Sequence, residues 1–340
     1  MNMAAPTRVG IMGFGRIGRN VFRLLHGRSD LQVAAIVDIA EPKSLEYLLR
    51  FDTVFGRFAA DVHLSGSDLY SDGRQIPIIR AVEPGEVDWD ALGIELVVES
   101  TGVYRQRDQL EEHLRCGARR VLLASPPRQP FDVDLILVRG VNDSALRADH
   151  RLISLGSCTL NAVAPILELL NESFGITQAY MNSIHAYTNR MRLADVPNRD
   201  LRASRAAAEN IIPTSTYTPR AIGQILPDWG GKLEGLALNV PVPDGSAVDL
   251  TLFLARPATR EEINELVRSA AESRFAGILA YSTDPLVSSD VIGESHSAVF
   301  DSEATMVLDD LVKLILWYDN GWGYSRRIVE VLELSRSEQP

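Results

Sequence analysis

The stretch Arg8-Val-Gly-Ile-Met-Gly13-Phe-Gly15-Arg-Ile-Gly18 decides the fold. A short apolar run ends at Gly13, and Val21, Leu24 and Leu25 then recur at helical spacing. Gln32-Val-Ala-Ala-Ile-Val37 reads as a second strand, closed by Asp38. Strand, glycines, helix, strand and acid in this register make a dinucleotide fingerprint. Gly13 serves the tight turn, Gly15 lets a pyrophosphate approach the backbone, and Gly18 lets helix and strand pack closely. The turn from Gly13 through Phe14, Arg16 and Ile17 to Gly18 is then the cofactor-binding loop. Asp38 stands where a carboxylate accepts from the adenosine ribose hydroxyls and repels a 2′-phosphate, which selects NAD over NADP.

Outward from this loop, Asp61 to Arg80 has the look of hairpin strands broken at Gly66-Ser and Ser71-Asp-Gly73. Glu95-Leu-Val-Val-Glu is a buried strand with a polar end at Ser100, Thr101 and Gly102. Gln109 to Cys116 has helical spacing, and Arg120 to Ser125 is the next strand, stopped by Pro126-Pro127. Asp134 to Val138 and Leu152 to Ser154 continue the alternation, which argues a parallel α/β sheet. In such a sheet the carboxyl ends of strands face the cofactor, so Ser100, Thr101, Gly102 and Ser125 join the candidate cofactor site.

A second stretch carries the chemistry. Ile153-Ser-Leu-Gly-Ser-Cys158-Thr-Leu-Asn puts a cysteine where a strand hands over to a helix, with Ser157 able to cap. A helix start carries partial positive charge and unpaired N–H groups, which favour a thiolate. Ser157 and Thr159 add hydroxyls at this anion-friendly spot. On that stretch alone, a buried structural thiol fits as well. Ile176 to Ile184 reads as a strand with His185 at its end. A lone thiol and a histidine brought together only by folding form a nucleophile–base arrangement. His26, His63, His113, His150 and His296 lack such a setting, and Cys116 reads as structural.

The rest of the second half reads as α+β on a mainly antiparallel sheet. Gly235 to Val240 and Ala247 to Leu254 alternate as strands, and Arg260 to Ser273 is an amphipathic helix. Ala304 to Leu308 and Val312 to Trp317 pair around Asp309-Asp310, and Arg326 to Leu334 is a last helix. Asn198 to Arg220 reads as a long irregular loop rich in Arg and hydroxyls.

At 340 residues the chain exceeds the usual size of a single core, so two domains are expected. The net charge of −11 argues against nucleic acid and anionic membranes as partners. Two cysteines provide neither a disulfide framework nor a zinc cluster, so no metal is expected and a reducing, cytoplasmic compartment is. No apolar run is long enough to span a membrane.

Taken together, Gly13 to Arg19, Glu99-Ser-Thr-Gly102, Ser157-Cys-Thr, His185-Ala-Tyr-Thr188, Ala206 to Pro213 and Trp317-Tyr-Asp-Asn320 resemble phosphorylating glyceraldehyde-3-phosphate dehydrogenases. The resemblance is collinear from about Val9 to Leu334, and the related erythrose-4-phosphate dehydrogenases share most of it. It implies a Rossmann NAD-binding domain over 1–157, onto which a C-terminal helix over 321–340 packs, and a catalytic domain over 158–320. It further implies that the Cys158 thiolate attacks an aldehyde and that His185 is its base. Inorganic phosphate then cleaves the acyl-thioester to an acyl phosphate. Asn320 matches the residue that holds the nicotinamide carboxamide, with Tyr324 beside it. Ser157, Thr159 and Thr216 match the site of the attacking phosphate, and Thr188 that of the substrate's own phosphate. A homotetramer is implied, with the 198–220 region reaching a neighbour's cofactor.

The departures from the family pattern fall on binding residues. Met12 and Val37 replace asparagines near the adenosine. Tyr217 replaces a glycine beside the attacking phosphate, and Gly321 an acid after Asn320. Asn239 replaces the arginine that grips the substrate phosphate, while Arg190 is a cation where an acid or small polar residue is usual. These changes leave glyceraldehyde 3-phosphate beside erythrose 4-phosphate, a phosphonate or an unphosphorylated aldehyde as substrates, with phosphate or water resolving the thioester. A non-catalytic binding paralogue is the contrasting reading, opposed by the joint presence of Cys158, His185 and Asn320.

Overall fold

The computed structural model describes residues 5–189 and 191–337, so Arg190 lies outside the described residues. The chain divides into two compact units. The first comprises Met1–Leu137, Ser144–Gly156 and Ser325–Pro340, and the second Val138–Asp143 and Ser157–Tyr324.

In the first unit the fingerprint runs as expected from β1 (Thr7–Met12) through α1 (Arg16–Leu25) to β2 (Leu31–Val37). Then follow α2 (Pro42–Arg50), a two-residue ribbon of β3 (Phe51–Asp52) and β4 (Gly56–Arg57), and a meander of β5 (Val62–Ser65), β6 (Asp68–Ser71) and β7 (Arg74–Ile79). The unit continues with β8 (Leu96–Glu99), α3 (Arg107–Arg115), β9 (Arg120–Leu123), β10 (Leu135–Ile136) and β11 (Leu152–Ser154). One nine-stranded sheet results, in the order β10-β11-β9-β8-β1-β2-β7-β6-β5. It is parallel from β10 to β7, and only the β5–β6–β7 meander is antiparallel. The central strands are buried along their length (Val9 and Ile11; Ala35, Ile36 and Val37; Leu96, Val97 and Val98), as a sheet covered on both faces demands.

The second unit opens on α4 (Cys158–Phe174). Most of its residues are buried, so it is a core helix rather than a surface one. It leads into β12 (Ile176–Ala186), β13 (Ile212–Ser215), α5 (Thr218–Ile225), β14 (Leu233–Val240), β15 (Ser246–Leu254) and α6 (Arg260–Glu272). Then come β16 (Leu279–Ser282), β17 (Ala298–Asp301), β18 (Met306–Leu308) and β19 (Leu311–Tyr318). The eight-stranded sheet runs β13-β14-β12-β15-β19-β17-β16, with β18 paired to β19. All its pairings are antiparallel except β12 with β14 and β16 with β17. Helix α7 (Trp322–Ser337) begins in this unit and from Ser325 belongs to the first. There Arg119 donates to the Ser335 carbonyl at 2.9 Å, and Arg28 pairs with Glu333 at 2.6 Å. Among the described residues no helix is long and apolar enough to cross a membrane.

The 198–220 stretch is not irregular throughout. It contains β13 and the start of α5. Pro213 hides the strand from a sequence reading, but β13 is an edge strand, where a proline is tolerated. Helix α7 also starts earlier than its apolar spacing suggests. Asp319 Oδ1 accepts from the N–H groups of Gly321 and Trp322, which nucleates the first turn ahead of Arg326.

Candidate active site

In the first unit the three fingerprint glycines have three different local reasons. Gly13 sits at φ +89°, where a side chain is strained, and a Cβ there would lie 2.5 Å from the Thr101 nitrogen. A Cβ on Gly18 would lie 2.3 Å from the Gly13 carbonyl oxygen. Gly15, by contrast, faces open space, and it caps α1 with no side-chain hydrogen bond. A helix start approached over a glycine with open space beside it suits an anion. Asp38 Oδ2 accepts from Phe14 N at 2.7 Å and Oδ1 from Ala40 N at 2.9 Å, which fixes the carboxylate at the end of β2. Ser100 Oγ donates to the Gly13 carbonyl at 2.7 Å, and Thr101 N to Glu99 Oε1 at 2.8 Å. Ser154 Oγ holds the Ser125 carbonyl at 2.8 Å. Met12 and Val37, where the family pattern has asparagine, are core residues packed with Ala34, Ala35 and Trp89.

In the second unit Ser157 caps α4, accepting from Leu160 N at 3.1 Å. Cys158 is thus the first helical residue. The N–H groups of Cys158 and Thr159 belong to the first turn, which has no intrahelical acceptor for them. Cys158 Sγ lies 3.6 Å from His185 Nε2. The Ala186 carbonyl takes His185 Nδ1 at 2.6 Å, so the ring is held from both sides. Burial opposes the imidazolium, but Cys158, the Ala186 carbonyl and Asp244 together outweigh it and hold the His185 pKa above its ordinary value.

The register of the sheet assembles the surroundings. His185 on β12 pairs with Asn239 on β14, Ile184 with Ala247 on β15, and Ser246 with Tyr318 on β19. Side chains alternate along strands. Asn239, His185, Ser246 and Tyr318 therefore form a row on one face. Tyr318 is buried, and its hydroxyl bonds Thr159 Oγ1 at 3.0 Å and Ser183 Oγ at 3.1 Å. Its ring stands edge-on to His185, with centroids 6.2 Å apart. Burial, and then the charge at Cys158, raise the Tyr318 and Tyr324 phenols above their ordinary pKa. Ser246 Oγ accepts from Ala186 N and donates to Asn320 Oδ1. The buried Asp319, next to Asn320, is pushed up to about 6, by burial first and then by Asp244.

Among the sequence candidates, the folded chain brings Cys158, His185 and Asn239 together, while Thr159 and Asn320 are tied in through Tyr318 and Ser246. Thr188 is half-buried in the turn after β12, its carbonyl accepting from Met191 N. Thr216 and Tyr217 follow Ser215, which pairs with Leu236, three residues along β14 from Asn239. Thr216 Oγ1 meets Thr218, Tyr217 Oη donates to Gln224, and no described hydrogen bond links either to the Cys158–His185 pair. Tyr217 has φ −83°, an ordinary value, so this position imposes no need for glycine. Tyr318, Ser183, Ser246 and Asp244 are additions that sequence reading missed. Only Tyr318 carried a signal, through its place beside Asn320. Cys116 differs from Cys158: its thiol lies 3.5 Å from the Gly85 carbonyl, and burial, Glu112 and Asp88 push its pKa up.

Two profiles of one family match the chain. The glyceraldehyde 3-phosphate dehydrogenase NAD binding domain covers residues 7–107, and the C-terminal domain of the same family covers residues 157–320. The chain belongs to the glyceraldehyde 3-phosphate dehydrogenase family. It is 45% identical to the glyceraldehyde-3-phosphate dehydrogenase of Mycobacterium tuberculosis, covering 96% of this chain and 98% of that one. Identity is 43% to glyceraldehyde-3-phosphate dehydrogenase 2 of Streptomyces avermitilis (95% and 97% covered) and 44% to the Streptomyces coelicolor enzyme (95% and 97%). By family it is an NAD-dependent oxidoreductase acting on an aldehyde, a Rossmann unit joined to an α+β unit. Its own residues fit NAD: Gly15 leaves an open cradle at the start of α1, and Asp38 is fixed where a ribose diol needs an acceptor.

Proposed function

We propose that this dehydrogenase oxidises glyceraldehyde 3-phosphate through a thioester on Cys158 and releases it to inorganic phosphate as an acyl phosphate. The observation that carries the reading is the 3.6 Å contact of Cys158 Sγ with His185 Nε2 at the start of α4. The Cys158 thiolate adds to the aldehyde carbon, and the carbonyl oxygen becomes an alkoxide beside the N–H groups of the first turn, which stabilise it. His185, as imidazolium, supports the thiolate and gives that oxygen a proton. The ring then takes the proton back as the carbon loses its hydride and the thioester forms. NAD, held by the Gly13–Gly18 turn, Asp38, the Ser100–Gly102 strand end, Ser125 and Asn320 with Tyr324 beside it, supplies the hydride acceptor. Phosphate attacks the thioester carbon, the C–S bond breaks, and Cys158 leaves as thiolate. Ser157, the Thr159 N–H and the Thr216–Tyr217 segment serve the attacking phosphate, and Thr188 the phosphate of the substrate.

The same reading takes 1–157 with 321–340 as the cofactor domain and 158–320 as the catalytic one. It includes a homotetramer, supported by Leu193, Leu201 and Ile211, three large apolar side chains exposed within one stretch of the chain. A cytoplasmic setting is supported by two free cysteines.

The test is NADH formation with glyceraldehyde 3-phosphate, NAD and phosphate. The reading expects kcat/KM in the usual enzymatic range of about 10⁴–10⁸ M⁻¹s⁻¹ and loss of turnover when phosphate is withheld. A value orders of magnitude lower, or undiminished turnover without phosphate, rejects it.

A further inference from the structure

The row of side chains beside the nucleophile contains one unanswered donor. Thr159 and Ser183 each bond the Tyr318 hydroxyl, Ser246 bonds Asn320, and His185 is held by Cys158 and Ala186. Asn239 is only 5% exposed, yet its Nδ2 finds no partner among the described residues. A buried amide left without its hydrogen bond costs free energy, so a side chain kept in that state points to a partner that arrives with a ligand.

The place of this amide limits what the partner is. Asn239 pairs with His185 across parallel strands, so the two side chains stand side by side, about one strand spacing apart. His185 in turn touches the sulfur that takes the aldehyde carbon. Along β13, β14, β12, β15 and β19, the face that carries Asn239 and His185 holds no lysine and no arginine. Ile212 is the register neighbour of Asn239 on the outer side. The His185 imidazolium on this face is already paired with the Cys158 thiolate, so a dianion there would add to a neutral amide and an isoleucine only and would be buried with its charge unpaired. A hydroxyl or carbonyl oxygen matches the amide in charge and in hydrogen-bonding capacity.

We propose that Asn239 is a specificity-determining residue whose amide binds an uncharged oxygen of the aldehyde substrate, close to the reacting carbon, and contributes equally whether or not the substrate carries a phosphate. The inference rests on the aldehyde-oxidising function proposed above and narrows its substrate class to hydroxyaldehydes recognised near the carbonyl.

The experiment compares wild type, N239L and N239D with glyceraldehyde 3-phosphate and with glyceraldehyde, at saturating NAD and phosphate. Alkylation of Cys158 by iodoacetamide reports in parallel that the nucleophile site is intact. Asn239→Leu keeps the volume and removes the hydrogen bond, so the proposal expects KM to rise by about tenfold for both aldehydes, with kcat little changed. Asn239→Asp keeps the shape and adds a negative charge. It is expected to spare the ratio of kcat/KM between the two aldehydes, because the phosphate is not its neighbour. A KM that N239L leaves unchanged for both, or raises for the phosphorylated aldehyde alone, overturns the proposal and leaves the function standing. A wild-type enzyme with normal alkylation but no turnover of either aldehyde overturns the function and the inference with it.

Discussion

Ser246 donates its hydroxyl to Asn320 Oδ1 at 3.0 Å while accepting from Ala186 N at 3.1 Å, so one oxygen ties the end of the His185 strand to the residue expected at the nicotinamide. Ser246 is buried. S246A leaves a buried N–H and a buried amide oxygen unpaired, at a cost of about 1–3 kcal/mol each before relaxation. Calorimetry should show a lowered Tm. Steady-state kinetics should show KM for NAD rising more than KM for the aldehyde.

The His185 pKa lies above its ordinary value, so the sign of its pH effect is fixed. The ring stays protonated to higher pH than a free imidazole, and the pairing it gives Cys158 is lost only as pH rises through that raised value. Alkylation of Cys158 should therefore be fast and flat through neutral pH in wild type. In H185N it should instead climb towards the value of an unassisted thiol near 8.5, and kcat should fall by about 10²–10⁴-fold. Equal alkylation profiles for the two proteins would count against the pairing.

Asp319 also has a raised folded pKa, so its effect on stability has the same sign at a lower pH. Its folded pKa of about 6 exceeds the ordinary 3.8, so the folded state binds the extra proton between those values. That contribution to stability is complete below about pH 4 and is lost as pH rises to about 6, up to about 3 kcal/mol in all. D244N removes the neighbouring charge, so its Tm relative to wild type should improve more at pH 8 than at pH 5. A difference independent of pH would show that the two acids do not interact.

Two glycines of the cofactor loop separate folding from binding. Gly18 has no room for a Cβ, so G18A should lower the Tm and weaken NAD together. Gly15 has ordinary dihedrals (φ −69°, ψ −159°) and open space, so G15A should fold with an unchanged Tm. Its methyl group intrudes only where the pyrophosphate would lie, and a fluorescence titration should show NAD affinity reduced by about tenfold or more.

The parts legible in sequence are those with local causes. The fingerprint from Arg8 to Asp38 is a periodicity switch with glycines at fixed offsets, and Ser157 is a cap next to an apolar helix. Cys158 and His185 stood out because each ends or begins an element. The row Asn239, His185, Ser246 and Tyr318 was not legible as a row, because strand register, not spacing, creates it. Tyr318 meets Thr159 across 159 residues and Ser183 across 135, separations that no local pattern encodes. Asn239 was visible as a departure from the family pattern, but its unpaired amide is a property of packing. The strand at Ile212–Ser215 was hidden by Pro213, and the start of α7 by a cap that Asp319 supplies from the preceding strand end.

The central claim is that the oxidised substrate is carried on Cys158. The most direct measurement mixes enzyme, NAD and glyceraldehyde 3-phosphate without inorganic phosphate, quenches with acid and maps the chain by mass spectrometry. The account predicts an NADH burst of about one equivalent per subunit and an acyl group of matching stoichiometry on Cys158, discharged when phosphate is added. NADH formed by C158S at the wild-type rate, or an acyl group on any residue other than Cys158, would contradict it.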